Sequence, residues 1–329
     1  MDQPPTPWCS VFFTTPDIPR PDNTLGIEGN LITLFNEAKT SIDVAVFEFN
    51  LENVAQALIC AHNRGVTVRV VYDSQFAGEG QQIAEIIATG IPAVGDNRSA
   101  FMHNKFFIID RKIVWTGSFN ITKNASERNN ENATIIYDAF LAKNYSLEFE
   151  EMFAGRFGRS SPVNTVDSLT VQGVRVENYF APEKEVMIHI SKLVKQATRY
   201  VHFLAFSFTS RGLSTALKEG MRRGVEVAGV FESRGTDHPS SEYRSLREAG
   251  AEVLRDKNPG TMHHKVIVID GQVVIFGSYN FSDNAEKTND ENILIIFNPA
   301  IAARYEAEFQ RIRDLARSQW RKKKTTKRS

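Results

Sequence analysis

The sequence contains little cysteine and has no apolar segment long enough to cross a membrane. Only Cys9 and Cys60 occur among 329 residues, which is too few for a disulfide framework or a cysteine-ligated metal site. A membrane-spanning helix needs about 18 consecutive apolar residues, and residues 1–13 lack the basic start and apolar core of a secretory signal. We therefore predict a globular cytoplasmic protein, although an exported form whose signal has been removed would have the same sequence.

Net charge is also absent from the chain, but the charges are unevenly placed. Lysine and arginine together number 39, as do aspartate and glutamate, whereas Arg321–Ser329 holds six basic residues and no acid. The remaining chain has 33 basic and 39 acidic residues, a charge of −6. The basic segment is either a solvated end or an electrostatic arm for a polyanion, such as nucleic acid or an anionic membrane surface.

What the sequence does contain is a repeat. The stretch MHNKFFIIDRKIVWTGSFN begins at Met102, and MHHKVIVIDGQVVIFGSYN begins at Met262. Positions that recur at an offset of 160 are His103 and His263, Lys105 and Lys265, Asp110 and Asp270, Ser118 and Ser278, Asn120 and Asn280, Glu131 and Glu291, and Asn132 and Asn292. The same ordered set of polar residues in two copies predicts one site assembled from two halves.

Each half alternates apolar strands with helical segments. The predicted strands are 42–49, 66–72, 201–208 and 225–231, and the predicted helices between them are 54–63 and 212–223. A hairpin, one more strand and a long helix close each half. We predict an α/β fold made of two similar α/β/α halves with largely parallel mixed sheets, packed about a pseudo-two-fold axis.

The repeat also predicts the domain boundaries. The first half is predicted to span residues 1–160 and the second 161–320, followed by the basic tail 321–329. The boundary lies near Gly158–Thr170, a stretch rich in Ser, Thr, Asn and Pro.

The spacing of histidine and lysine is typical of residues that share one face of a strand. His103 and Lys105 are two positions apart, as are His263 and Lys265, so each pair projects to the same side. His264 then faces the opposite side, and we expect no catalytic role for it. A single histidine in a strand is usually structural, but two equivalent His-x-Lys pairs favour a catalytic site.

The other repeated residues suggest an anion site and its supports. Lys105, Lys265, Asn120 and Asn280 are predicted to bind the oxygens of one anion, with help from the hydroxyls of Ser118 and Ser278. The carboxylates of Glu131 and Glu291 are predicted to hold the imidazoles in one tautomer. Asp110 and Asp270 lie at the hairpin turns, where we expect a structural role. The predicted catalytic, substrate-binding and supporting residues are those in this paragraph together with His103 and His263.

The pattern His-x-Lys-x4-Asp followed by Gly-Ser-x-Asn, in two copies, resembles the phospholipase D superfamily. The longer stretches GSFNITKNASERNNEN and GSYNFSDNAEKTNDEN are similar to the branch of small nonspecific bacterial nucleases, which work as homodimers. The resemblance implies that one histidine attacks phosphorus to form a phosphohistidine and that the other protonates the leaving oxygen. In two-motif relatives the N-terminal copy usually supplies the nucleophile, which implies His103 as nucleophile and His263 as general acid.

We therefore expect a broad-specificity nuclease that cleaves DNA or RNA without a metal or other cofactor. It is expected to act as a monomer and to make no integral membrane contact. One alternative is a phospholipase D or phosphatidyltransferase that acts on phospholipid headgroups, and another is a nucleic-acid-binding or scaffold protein with a decayed site. The negative charge of the body argues against the nuclease, and the basic tail compensates only in part.

Overall fold

The computed structural model describes residues 8–16, 26–78 and 80–325, with side chains up to residue 318. The first half forms a seven-stranded sheet. Its strands are β1 (Cys9–Phe13), β2 (Ser41–Val46), β3 (Thr67–Tyr72), β4 (Ala93–Gly95), β5 (Phe106–Ile109), β6 (Ile113–Gly117) and β7 (Asn132–Tyr137). Their spatial order is β1-β7-β6-β5-β2-β3-β4. The motif hairpin β5-β6 therefore lies in the middle of the sheet.

The second half forms an eight-stranded sheet of closely similar topology. Its strands are β8 (Ser168–Val171), β9 (Val174–Ala181), β10 (Tyr200–Ala205), β11 (Glu226–Phe231), β12 (Glu252–Arg255), β13 (Lys265–Ile269), β14 (Val273–Gly277) and β15 (Glu291–Ile296). The order is β12-β11-β10-β13-β14-β15-β9-β8, so the second motif hairpin, β13-β14, is again central.

Ten α-helices lie in the described residues. They are α1 (Ile27–Glu37), α2 (Glu52–Asn63), α3 (Gln82–Ala88), α4 (Lys123–Glu127), α5 (Ala139–Phe153), α6 (Val186–Gln196), α7 (Arg211–Arg222), α8 (Tyr243–Glu248), α9 (Asp283–Lys287) and α10 (Pro299–Thr325). No helix in the part of the chain described is both long and apolar enough to span a membrane.

The α/β class with two mixed sheets is confirmed, but the sheets are less parallel than the repeated strand–helix pattern suggested. Parallel pairing is limited to β2-β3-β4 and to β10-β11-β12, whose strands are joined by helices. The motif hairpins and the strands that follow them pair antiparallel. A tight hairpin joins only antiparallel strands, so the motif itself prevents a largely parallel sheet.

The two halves meet through reciprocal contacts. Met102 forms a backbone bridge with Asp290, and Met262 forms the corresponding bridge with Asn130. Contacts in which each side repeats the other are those of a two-fold axis. The predicted packing of two similar halves about a pseudo-two-fold axis is therefore confirmed.

A continuous hydrophobic core joins the halves. Tyr145 on α5 contacts both Phe106 and Phe180, with ring centroids 5.0 and 5.1 Å apart. Tyr305 on α10 contacts Phe13 of the first half at 5.2 Å. The long helix that ends each half, α5 or α10, therefore packs against the other half. The division into domains 1–160 and 161–320 stays a prediction.

The C-terminal basic segment begins inside a helix. Because α10 extends to Thr325, the predicted tail of residues 321–329 starts as a continuation of that helix. Residues 326–329 lie outside the described residues, as do the side chains from position 319 onwards. The proposed role of the tail stays a prediction.

Candidate active site

The motif histidines lie where the two halves touch. The backbone N–H of His103 donates to the carbonyl of Asp290 at 2.9 Å, and that of His263 donates to the carbonyl of Asn130 at 3.0 Å. Each histidine is thus held against the backbone of the opposite half. The candidate site therefore lies at the interface between the two halves.

The two glutamates bind the histidines crosswise. Nδ1 of His103 is 2.8 Å from Oε2 of Glu291, and Nδ1 of His263 is 2.9 Å from Oε2 of Glu131. Each imidazole therefore obtains its carboxylate from the other half. With Nδ1 engaged, Nε2 is the nitrogen available to a substrate on each ring.

The environments of the two histidines differ electrostatically. Burial lowers the pKa of both imidazoles, that of His263 to about 4. Burial raises the pKa of Glu291 to about 8. Burial alone would also raise the pKa of Glu131, but the charge and hydrogen bond of His263 outweigh it and lower that pKa. Burial is the larger effect on the His263 ring, and the carboxylate of Glu131 raises the pKa of that ring against it.

The hairpins of both halves place their serines behind the glutamates. The hydroxyl of Ser118 donates to Oε2 of Glu131 at 2.6 Å, and that of Ser278 donates to Oε2 of Glu291 at 2.7 Å. The serines therefore hold carboxylates and do not project their hydroxyls toward an anion. Gly117 permits this approach, because a Cβ there would lie 2.3 Å from the carbonyl oxygen of Asn132.

The two motif lysines are buried beside the histidines. Nζ of Lys105 donates to the carbonyl of His103 at 2.8 Å, and Nζ of Lys265 donates to that of His263 at 2.6 Å. Each ammonium also lies over a phenylalanine ring, Phe47 at 4.8 Å for the first. Burial lowers the pKa of Lys105 to about 8 and that of Lys265 to about 7. Cations in a region of low dielectric attract an anion strongly.

Asn120 and Asn280 have polar atoms available for a ligand. Oδ1 of each is buried and accepts no hydrogen bond from any residue that the structure describes. Nδ2 of Asn120 donates to Oε2 of Glu48 at 2.8 Å. Glu48 is a site residue that the sequence reasoning missed. The signal that could have found Glu48 is a break in the repeat. The second half has Ser207 at the equivalent position, so Glu48 is a charge that only the first half carries.

The motif aspartates lie at the hairpin turns and not in the site. The carboxylate of Asp110 accepts backbone N–H groups of residues 39–41, and that of Asp270 accepts those of residues 198–200. Both have positive φ, 52° and 55°, and so do the residues that follow them, Arg111 and Gly271, as the two central positions of a type I′ turn require. Each aspartate therefore ties its hairpin to the start of the neighbouring strand.

The residues between histidine and lysine form the interface behind the site. Nδ2 of Asn292 donates to Oδ1 of Asn104 at 2.9 Å, and Nδ2 of Asn132 lies 2.9 Å from Nδ1 of His264. His264 is fully buried. It packs between the halves, on the side away from the lysines.

No group of three or more His, Cys, Asp or Glu side chains arranged to hold a metal ion occurs among the residues with a described position. Catalysis without a metal stays a prediction, which activity in the presence of a chelator would test.

Comparison with known proteins identifies the fold and the family. Residues 31–153 and 190–313 each match the family described as cardiolipin synthase, PLD-like domain. The solved structure of phosphatidylserine synthase from Haemophilus influenzae is 16% identical and superimposes with a TM-score of 0.69, covering 87% of this chain and 83% of that one. At this identity the likeness shows the fold alone.

Curated relatives match over about two fifths of the chain. The mitochondrial cardiolipin hydrolase of Xenopus tropicalis is 37% identical over 124 residues, which are 37% of this chain and 59% of the relative. The phospholipase D of Rickettsia conorii is 32% identical over 131 residues, 40% of this chain and 66% of the relative. The match thus spans about three fifths of the length of these relatives.

These relatives overturn part of the sequence interpretation. The prediction of a nuclease with nucleic acid as its substrate was wrong, because the curated relatives are named for cardiolipin and phospholipid cleavage. The shared motif defines a phosphodiesterase site, whereas the stretches after each asparagine do not determine what the phosphate is attached to. With both halves matched by the family, the chain belongs to the phospholipase D superfamily of phosphodiesterases and carries one PLD-like domain in each half.

Proposed function

We propose that the protein cleaves the phosphodiester bond between a phospholipid and its headgroup. The observation that carries the chemistry is the crosswise pair of histidines, each bound through Nδ1 to a glutamate of the other half. The names of the curated relatives, cardiolipin hydrolase and phospholipase D, support phospholipid as the substrate class.

The proposed first step forms a phosphohistidine. Nε2 of His103 attacks phosphorus, and the bond from phosphorus to the headgroup oxygen breaks. His263 gives its proton to that oxygen, so the headgroup leaves as an alcohol. Glu131 beside His263 supports the proton-carrying role, since it raises the pKa of that ring against the larger lowering effect of burial.

The proposed second step restores the enzyme. Water attacks phosphorus as His263 takes its proton, the bond between phosphorus and His103 breaks, and phosphatidic acid is released. During both steps Lys105 and Lys265 offset the charge on the phosphoryl oxygens, and Asn120 and Asn280 donate to them from Nδ2. No step in this scheme requires a metal ion.

The test is cleavage of phospholipid vesicles with excess EDTA present. We expect release of phosphatidic acid by the native protein and loss of at least a thousandfold in the His103→Ala variant. With bis-p-nitrophenyl phosphate, whose leaving group needs little protonation, His263→Ala should keep measurable turnover or accumulate phosphohistidine. Intact phospholipid after prolonged incubation, together with cleavage of a nucleic acid control, would overturn the proposal.

A further inference from the structure

The pseudo-symmetric site opens on one side into a cavity. The cavity has a volume of about 790 Å³, and its lining includes His263, Glu48, Asn120 and Gly235. It therefore begins at the histidine of the second half and at the anion-binding asparagine of the first. A ligand in the cavity would touch both the phosphate position and the His263 ring.

Aromatic side chains occupy the corresponding position beside the other histidine. The ring of Phe47 is 4.6 Å from that of His103, Phe76 is 4.4 Å from Phe47, and Phe101 is 5.7 Å from Phe76. Phe76 and Phe101 are half-buried. Phe47 has a counterpart in the second half, since Phe206 lies 4.7 Å from His263. Phe76 and Phe101 are therefore the side chains that lie near His103 where the second half has the cavity.

The sequence accounts for this difference position by position. Phe76 corresponds to Gly235 at the offset of 159, and Phe101 corresponds to Thr261 at the offset of 160. A Cβ added at Gly235 would meet no atom within 4 Å. Small residues in the second half therefore create the space that phenylalanines fill in the first.

We propose that the cavity receives the leaving headgroup and that Glu48 selects a headgroup with a cationic amine. The inference rests on the proposed function and adds the identity of the headgroup class. It also fixes the direction of cleavage, because a headgroup beside His263 receives its proton from that ring while His103 attacks from the opposite side.

The charges of the lining support an amine near the phosphate. Besides His263, the charged or titratable lining residues are Glu48, Arg128, Glu232, Arg234 and His238. Nε of Arg234 lies 2.8 Å from Oε1 of Glu232, so these two charges compensate each other. Arg128 and His238 are exposed at the rim. The carboxylate of Glu48 contacts an anion-binding residue directly, because Nδ2 of Asn120 donates to it at 2.8 Å.

The position of Glu48 also suits the size of such a headgroup. Its carboxylate accepts from Nδ2 of Asn120 at 2.8 Å, so it lies beside the side chain that we place on the phosphoryl oxygens. An ammonium two carbons from the phosphate oxygen would reach it. The second half has Ser207 at this position, and it therefore offers no equivalent charge.

The test compares dihexanoyl phosphatidylethanolamine with dihexanoyl phosphatidylglycerol, both as soluble monomers. We expect the native protein to prefer the ethanolamine lipid and Glu48→Gln to reduce the kcat/KM ratio of the two lipids at least tenfold, mainly through the ethanolamine lipid. Glu48→Ser, which copies the residue of the second half, should do the same. The matched control is Glu52→Gln at an exposed position of α2, which should leave the ratio unchanged.

A second variant tests the cavity itself. Gly235→Phe should fill it as Phe76 fills the first half, and we expect a loss of at least tenfold in kcat/KM for both lipids with bis-p-nitrophenyl phosphate less affected. If the native protein cleaves both lipids and Glu48→Gln leaves their ratio unchanged, the inference fails and the proposed function stands. If the native protein cleaves neither lipid, both fail.

Discussion

At the scale of single residues, the lowered pKa values of the two lysines make the charge of the site depend on pH in the neutral range. A lysine in water stays charged to about pH 10.4, whereas burial lowers the pKa of Lys265 to about 7 and that of Lys105 to about 8. Each lysine is charged below its pKa and neutral above it. The anion site therefore loses charge as the pH rises through the neutral range.

We accordingly predict that binding of a phosphodiester weakens as the pH rises from 6 to 9. The KM for bis-p-nitrophenyl phosphate should be lowest below pH 7 and should rise up to about tenfold per pH unit once a lysine loses its proton. Lys265→Arg keeps its charge throughout this range and should move the rise toward the pKa of Lys105. A KM that stays constant from pH 6 to 9 would contradict the prediction.

At the scale of elements, the motif aspartates hold each hairpin against the neighbouring strand. The carboxylate of Asp110 accepts the backbone N–H groups of Lys39, Thr40 and Ser41 at 3.0, 2.6 and 3.0 Å. Burial alone would raise the pKa of Asp110, but these donors outweigh it and lower that pKa. The ionised carboxylate is therefore the form that stabilises the turn.

We predict that Asp110→Asn reduces the free energy of unfolding by about 2 kcal/mol at pH 7, since hydrogen bonds to a charged group contribute about 1.5–3 kcal/mol. The stabilisation is present above the unfolded pKa of about 3.9 and is lost as the pH falls through the lower folded pKa. Urea unfolding at pH 7 and below pH 4 should show the difference shrinking in acid.

The control for this variant is Glu37→Gln, which makes the same chemical change at an exposed position of α1 and should leave stability unchanged. The Asp110→Asn variant should keep the native kcat per folded molecule. A variant with native stability and lost activity would instead assign Asp110 to the chemistry.

At the scale of the whole molecule, the site exists only because the halves exchange residues. Glu131 of the first half holds His263, and Glu291 of the second half holds His103. Removing one glutamate should therefore disturb the histidine that lies 132 or 188 residues away in the chain. The histidine of its own half should change much less.

We predict that Glu131→Gln shifts the imidazole nitrogen signals of His263 in a ¹⁵N NMR spectrum and lowers the pKa of that ring, because a negative neighbour is lost. The reciprocal variant Glu291→Gln should shift the signals of His103. Larger shifts at His103 than at His263 in Glu131→Gln would disprove the crosswise arrangement.

The basic C-terminal segment also belongs to the whole-molecule scale. It has six positive charges on nine residues, and each basic residue near an anionic membrane surface contributes about 1 kcal/mol of attraction. We predict that deleting Arg321–Ser329 weakens binding to phosphatidylglycerol vesicles by at least a hundredfold at low salt. Vesicle sedimentation would measure the loss.

The same deletion should leave turnover of bis-p-nitrophenyl phosphate unchanged, because the segment follows the part of α10 that packs on the sheet. Native and truncated proteins should bind equally in high salt, where charges are screened. Equal binding at low salt would show that the segment is a solvated end that does not attract an anionic membrane surface.

The sequence by itself determined which polar residues recur in the two halves, and it predicted that the halves share one site. The period-2 spacing of His103 and Lys105 follows from strand geometry, and the offset of 160 pairs every motif residue with a counterpart. The turn role of Asp110 was likewise readable from its position between two apolar runs. These features are local or repetitive, and a single sequence displays them directly.

Only the tertiary structure decided how the halves differ and which groups meet. The crosswise pairing of Glu131 with His263, the role of Ser118 behind that carboxylate and the place of Glu48 beside Asn120 all depend on contacts distant in the chain. The substrate class was misjudged for the same reason. The two motifs identify a phosphodiesterase site, whereas the residues around that site, such as Glu48 and Ser207 or Phe76 and Gly235, differ between the halves.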